Sequence, residues 1–205
     1  MILYMIRHGE TDRNKAKLLQ GQSDTILNEY GRQLARITAD ALAGVDFDMV
    51  FTSPLSRAVE TAEILKGTRD IPVIVEERIQ EISFGEYEGH CYAGEHFDIP
   101  DSDFGFFFSA PEKYRPAPSG ESFEAVIGRT GAFLEELMQN PFYQDKTILI
   151  STHGCALKAL LANITKCNLA DFWGRGVYKN CGVAIVEVKD GTAQILEDGK
   201  LYYTV

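Results

Sequence analysis

Short, almost wholly apolar runs alternate along this chain with stretches whose apolar residues recur at helical spacing, and that alternation restricts the possible folds more than any other property. Residues 1–6, Met-Ile-Leu-Tyr-Met-Ile, break at Arg7-His8-Gly9, as expected of a central parallel strand covered on both faces. Residues 47–52, 72–75 and 146–151 read as further strands. Between them, Tyr30, Leu34, Ile37, Ala41 and Leu42 form a helical stripe with Asn28 as its N-cap and Gly44 as its stop. Ser53 can cap, and Pro54 open, a second helix running to about Lys66. Phe123, Val126, Ile127, Phe133, Leu134 and Leu137 predict a third helix, ended by Pro141, and Leu157, Leu160 and Leu161 a fourth. Residues 183–188 and 193–196, joined by Asp190-Gly191, predict a closing hairpin at one edge of the sheet. The predicted fold class is an α/β three-layer sandwich, with a mostly parallel central sheet and helices on both faces.

One stretch escapes this pattern. Residues 90–120 hold seven aromatics and four of the seven prolines, without helical or strand period. Such a segment is too long for a routine connection and predicts a lid or cap insertion packed by its own aromatic side chains. No repeat or second boundary interrupts the rest, so residues 1–205 read as a single domain. That length supports a core without staples, and the four cysteines, with no C-x-x-C pair, read as reduced thiols. The apolar start is too short for a signal peptide, and no stretch is long enough to cross a bilayer, which predicts a cytoplasmic protein. Twenty Lys+Arg against thirty Asp+Glu, a formal charge of −10, argue against nucleic-acid binding through general positive potential. Small anions remain accessible to a few well-placed arginines.

In parallel α/β sheets, ligands gather beyond the carboxyl ends of the strands. Arg7-His8, Arg57 and His153 all follow predicted strands, so three separate segments converge two histidines and two arginines on one rim. Guanidinium groups stay charged and match phosphate oxygens in a planar fork, while a neutral imidazole can attack phosphorus. Together they imply phosphoryl transfer without a metal.

The block Arg7-His8-Gly9-Glu10-Thr11, followed by Asn14, Gln20-Gly21 and Asp24, resembles the histidine phosphatase superfamily in its phosphoglycerate mutase-like branch. The resemblance continues in order through residues 52–58 with Thr61-Ala62, residues 81–89 (EISFGEYEG), Gly120-Glu121-Ser122 and residues 151–154 (STHG). It implies that His8 is the nucleophile that becomes phosphorylated, that Arg7, Asn14, Arg57 and His153 hold the phosphate, with Gly154 beside them, and that Glu81 protonates the leaving oxygen and later activates water. On this reading His8 is neutral, with its second nitrogen donating to a backbone carbonyl, whereas His153 is more useful protonated. Leu18 stands where an arginine often precedes Gln-Gly, Ile26 replaces a usual proline, Tyr87 a common tryptophan, and Cys155 a frequent glycine. None of these removes a reacting group.

The expected function is therefore a metal-independent phosphomonoesterase acting on a small phosphorylated metabolite through a phosphohistidine on His8, without cofactor. A phosphoglycerate mutase and a non-catalytic phospholigand sensor are the alternatives. The insertion carries five acidic residues against Lys113 and Arg115, which favours hydrolysis of a substrate with one phosphate and an apolar or neutral remainder. His90 and His96 lie in an irregular segment without the ligand pattern of a closed metal site. The expected partner is a small-molecule phosphate ester, with no nucleic acid and no membrane; oligomeric state is open.

Overall fold

The structure, a computed structural model, describes residues 1–204. Six strands, β1 (Ile2–Arg7), β2 (Met49–Thr52), β3 (Val73–Val75), β4 (Thr147–Thr152), β5 (Val183–Lys189) and β6 (Thr192–Lys200), form one sheet in the order β3-β2-β4-β1-β5-β6. The first four in that order are parallel; β5 and β6 add an antiparallel hairpin at the β1 side. The predicted mostly parallel sheet with a terminal hairpin is thus present. Its helices are α1 (Asp12–Lys15), α2 (Glu29–Ala41), α3 (Ser56–Lys66), α4 (Phe106–Ser109), α5 (Phe123–Gln139) and α6 (Gly154–Thr165).

Alternation along β1 explains the layering. Leu3 and Met5 face a core shared with Phe133, Leu157 and Leu160 of α5 and α6, whereas Tyr4 and Ile6 face Leu34, Ala35, Ala62 and Leu65 of α2 and α3. Successive side chains of a strand point to opposite faces, so apolar residues at every position require helices on both sides. Asn28 caps α2 as predicted, its side chain accepting from the Gly31 amide at 2.8 Å. That helix ends through Leu42 rather than Gly44.

Two boundaries differ in a way that matters. The helix after β2 starts at Ser56, not at Pro54, and no side chain caps it; Ser53 is engaged elsewhere, as described below. Residues 90–120, predicted to be irregular, fold into single turns of helix and the short α4. Phe104, Phe107 and Tyr114 from this segment are buried with Phe84, Phe123, Phe172 and Trp173 in a third core. Phe107 stacks on Phe123 at 5.0 Å between ring centroids and meets Trp173 edge-on at 5.2 Å, arrangements that aromatic quadrupoles favour.

Candidate active site

The spacing of the two histidines is set by strand register. In the parallel β1–β4 pair, Arg7 lies opposite Thr152, and the His8 amide donates to the Thr152 carbonyl at 2.9 Å. The next residue of each strand is a histidine. His8 and His153 therefore leave adjacent strands side by side, with ring centroids 5.1 Å apart and planes tilted by 59°. Both are buried, at 2% and 0% exposure, and His8 lines the cavity.

His8 Nδ1 lies 2.7 Å from the Gly9 carbonyl, which makes Nδ1 the protonated nitrogen and leaves Nε2 with its lone pair, facing the cavity that His8 lines. Burial, reinforced by Arg57 and Arg7, pushes the His8 pKa well below its ordinary 6.5. The ring is thus neutral at neutral pH, as a nucleophile requires.

Both rings are shifted in the same direction, against the expectation of opposite charge states. Burial first, then Arg57, also drives His153 well below 6.5. Its Nε2 sits 2.8 Å from the Ser53 hydroxyl, while buried Nδ1 has no protein partner. With Nε2 accepting from Ser53, a neutral His153 still presents an Nδ1–H donor, so no extra proton is needed. Ser53, predicted to be a helix cap, instead orients this ring.

Arg57 is fully buried at the start of α3, where desolvation lowers its pKa to about 10. Its Nη2 donates to the Gly21 carbonyl at 2.6 Å and Nη1 to the Ser23 carbonyl at 2.9 Å. Arg7 at the end of β1 donates through Nη1 to the Tyr178 carbonyl. In both arginines the outer edge is held by backbone oxygens and Nε is buried without a protein partner. Carbonyl oxygens fix a guanidinium in place without neutralising it, which leaves the charge available to an anion.

Glu81 reaches the same cavity from the segment after β3. Its carboxylate accepts from the amides of Ile82, Cys155 and Ala156 at 3.0 to 3.2 Å, so the first turn of α6 anchors it. Gly154 lies within this cluster: a Cβ there would come 3.6 Å from Glu81 Oε2 and 3.7 Å from Arg7 Nε. The Glu81 backbone is secured in turn by Arg129, which donates to the carbonyls of Arg78, Gln80 and Glu81 and pairs with Glu121 at 2.9 Å.

Asn14 has a structural part as well as a place in the cavity. Its Oδ1 accepts from the Thr11 amide at 3.2 Å, closing a capping box at α1, and the residue also lines the cavity, where its Nδ2 remains available as a donor. Six of the seven residues picked out from the sequence, Arg7, His8, Asn14, Arg57, Glu81 and Gly154, line the cavity, and the seventh, His153, lies beside His8 with ring centroids 5.1 Å apart. Sequence reasoning missed Tyr178 and Asn180, whose amide donates to the His8 carbonyl at 3.0 Å. They lie in a stretch without periodicity, and Tyr178 holds Arg7 through its backbone, which no residue type reveals.

The cavity, about 270 Å³, is also lined by Leu18, Tyr92, Phe107, Phe108, Trp173 and Val177, with Lys179 as a further cation. The predicted insertion is accordingly core at Phe104, both core and cavity wall at Phe107, and cavity wall at Phe108. Cys155 also lines it, but burial drives its thiol pKa well up, the property of a packing residue rather than a reactive one. Among the described residues, no group of three or more His, Cys, Asp or Glu is placed to hold a metal ion, and His90 and His96 are not among the residues that line the cavity.

A three-layer α/β sandwich that sets paired imidazoles and paired guanidinium groups at one rim of its sheet has the layout of a histidine-based phosphatase. The histidine phosphatase superfamily (branch 1) matches residues 3–199, and the chain belongs to that family. It is 31% identical to the adenosylcobalamin/alpha-ribazole phosphatase of Escherichia coli, over 96% of this chain and 95% of that one. It is 29% identical to the metal-independent phosphoserine phosphatase of Arabidopsis thaliana, over 92% of this chain and 76% of that one. Among solved structures, Bacillus stearothermophilus YhfR superposes with a TM-score of 0.89 at 35% identity, covering 98% of this chain and 97% of the other.

Proposed function

We propose that the protein is a metal-independent phosphomonoesterase that hydrolyses a small phosphorylated metabolite through a phosphohistidine on His8. The observation that carries this reading is the set of three buried donors without protein partners, Arg7 Nε, Arg57 Nε and His153 Nδ1, beside the open Nε2 of His8. They provide positive potential and hydrogen bonds for the non-bridging oxygens, with Asn14 as a further donor, while Nε2 attacks phosphorus.

In the first step the Nε2–P bond forms, the ester P–O bond breaks, and Glu81 gives its proton to the departing oxygen. In the second, water attacks the phosphohistidine, Glu81 takes the water proton, and inorganic phosphate and neutral His8 are released. The cavity lies at the small end of ligand sites, and its aromatic wall suits a substrate with one phosphate and an apolar or neutral remainder. That wall also favours water over a second anionic substrate as the acceptor, hence hydrolysis over mutase chemistry. Residues 90–120 form the cap of what we read as a single domain. The four unpaired cysteines suit a cytoplasmic location, and no helix among the described residues is long and apolar enough to cross a membrane.

Steady-state phosphate release from an aryl phosphate in the presence of chelator tests the proposal. The unsubstituted protein should turn over, and His8→Ala should fall below detection while remaining folded. Substantial surviving activity would remove His8 as nucleophile, and no release from the unsubstituted protein would leave a phospholigand sensor.

A further inference from the structure

Five glutamates fall between residues 76 and 88, and Glu88 at the end of that run does not line the cavity. It is nonetheless more heavily engaged than a solvated carboxylate. Its Oε1 accepts from the Gln22 amide at 2.9 Å and the Phe84 amide at 3.2 Å. Its Oε2 accepts from the Ser23 amide at 2.8 Å and from the Ser23 hydroxyl. All four donors are uncharged, and no lysine or arginine pairs with Glu88 among the described residues.

The turn that Glu88 grips is the turn that holds Arg57. Gly21 contributes its carbonyl to Arg57 Nη2, and Gln22 its N–H to Glu88 Oε1. These are the two ends of a single peptide group, so one planar unit connects carboxylate to guanidinium. Hydrogen bonding at one end of a peptide strengthens the dipole presented at the other. Gly21 has φ +51°, and a Cβ there would lie 2.1 Å from Glu88 Oε1: the carboxylate occupies the space that glycine vacates. Glycine leaves the adjoining peptide free to rotate, and the Glu88 carboxylate holds its N–H end while Arg57 takes its carbonyl end.

We infer that Glu88 is a positioning residue of the oxyanion site: through the Gly21–Gln22 peptide it sets the direction of the Arg57 guanidinium and so aims Nε at the phosphoryl group. The inference rests on the phosphate-site reading above. It acts without touching substrate, and its signature is dependence on Arg57.

A double-mutant cycle isolates that dependence. Orthovanadate affinity, measured by calorimetry, needs no turnover, and kcat/KM on an aryl phosphate accompanies it. Glu88→Gln keeps the shape but turns an amide N–H₂ toward two of the four donors. It should weaken vanadate binding about tenfold when Arg57 is present and less than about twofold in an Arg57→Ala background, while Glu88→Asp, which keeps the charge, should recover part of the loss. Equal loss in both backgrounds, or unchanged affinity, overturns the inference. If Glu88→Gln does not fold, Ser23→Ala takes its place in the cycle with an expected loss of about threefold, and independence from Arg57 again overturns it. An unsubstituted protein that binds vanadate but hydrolyses nothing refutes the phosphatase reading and leaves the cycle to decide on Glu88; one that binds no oxyanion refutes both.

Discussion

Glu81 carries the division of labour at the scale of single residues. His8 forms the bond to phosphorus, but the leaving oxygen must find a proton, and Glu81 is the carboxyl group among the cavity-lining residues. General acid catalysis contributes roughly 10²- to 10⁴-fold, and a good leaving group scarcely uses it. For Glu81→Gln the expected loss of kcat/KM is therefore about 100-fold or more on an alkyl phosphate and less than about tenfold on an aryl phosphate. Equal losses on both would remove Glu81 from the acid's role. The reacting residues were legible in the sequence because each follows a strand or sits in an ordered block of the family. Their charge states were less so. The sequence suggested a protonated His153, whereas complete burial near two guanidinium groups, which no linear pattern displays, pushes its pKa well down.

Elements position these residues by close backbone approach as much as by side chains. The loop leaving β1 crosses α2 at Gly31, where a Cβ would lie 2.1 Å from the Glu10 carbonyl oxygen and 2.5 Å from its nitrogen. On the other side of the loop, the Gly9 amide donates to the Thr61 hydroxyl of α3 at 3.0 Å. The loop carrying the nucleophile is thus wedged between two helices. Gly31→Ala cannot be accommodated by side-chain motion, since the atoms in the way are backbone. Misplacement of a reacting group by about 1 Å can cost about 100-fold, and a loss of that size in kcat is expected, together with a lowered Tm. Activity within about twofold of the unsubstituted protein would show that the loop can yield. The helical stripe of α2 was readable from its period and its Asn28 cap. The wedge was not, because a glycine inside a helix reads only as a weak helix former. The start of α3 was misread for a related reason: Ser53 and Pro54 fit an opening turn locally, but the Ser53 hydroxyl meets His153, a hundred residues away in sequence.

For the molecule as a whole, burying two neutral histidines links stability to pH. Both rings have pKa values well below the ordinary 6.5. Under acid of that strength the unfolded chain binds protons at positions 8 and 153 that the folded chain refuses. The unfolded state then holds more protons, and stability falls as pH drops. The contribution is fully present above 6.5 and is lost progressively below it. Asp24, Asp48 and Glu76, whose pKa values are lowered from 3.8, 3.8 and 4.5, act in the same direction only at more acid pH. Between about pH 6.5 and 5 the thermal midpoint should therefore fall by several degrees, and by less in a His8→Asn, His153→Asn double variant. A flat profile in the unsubstituted protein would contradict the neutral assignment of the rings.

The parallel character of the sheet and its terminal hairpin were foreseeable at this scale, since near-continuous apolar runs belong to buried parallel strands and Asp190-Gly191 marks the hairpin. The interior of residues 90–120 was not, because its single turns are held by aromatic contacts from α5 and the stretch around Trp173 rather than by a period of its own.

The distance between the two imidazoles is inherited from the hydrogen-bond ladder joining β1 to β4, the innermost pair of the sheet. The pairing of the two rings therefore has no separate melting point in this architecture. Warming that leaves these two strands zipped leaves the rings in place, and warming that unzips them destroys the centre of the protein in the same event. Loss of the ring pairing on heating should accordingly be as cooperative as unfolding itself.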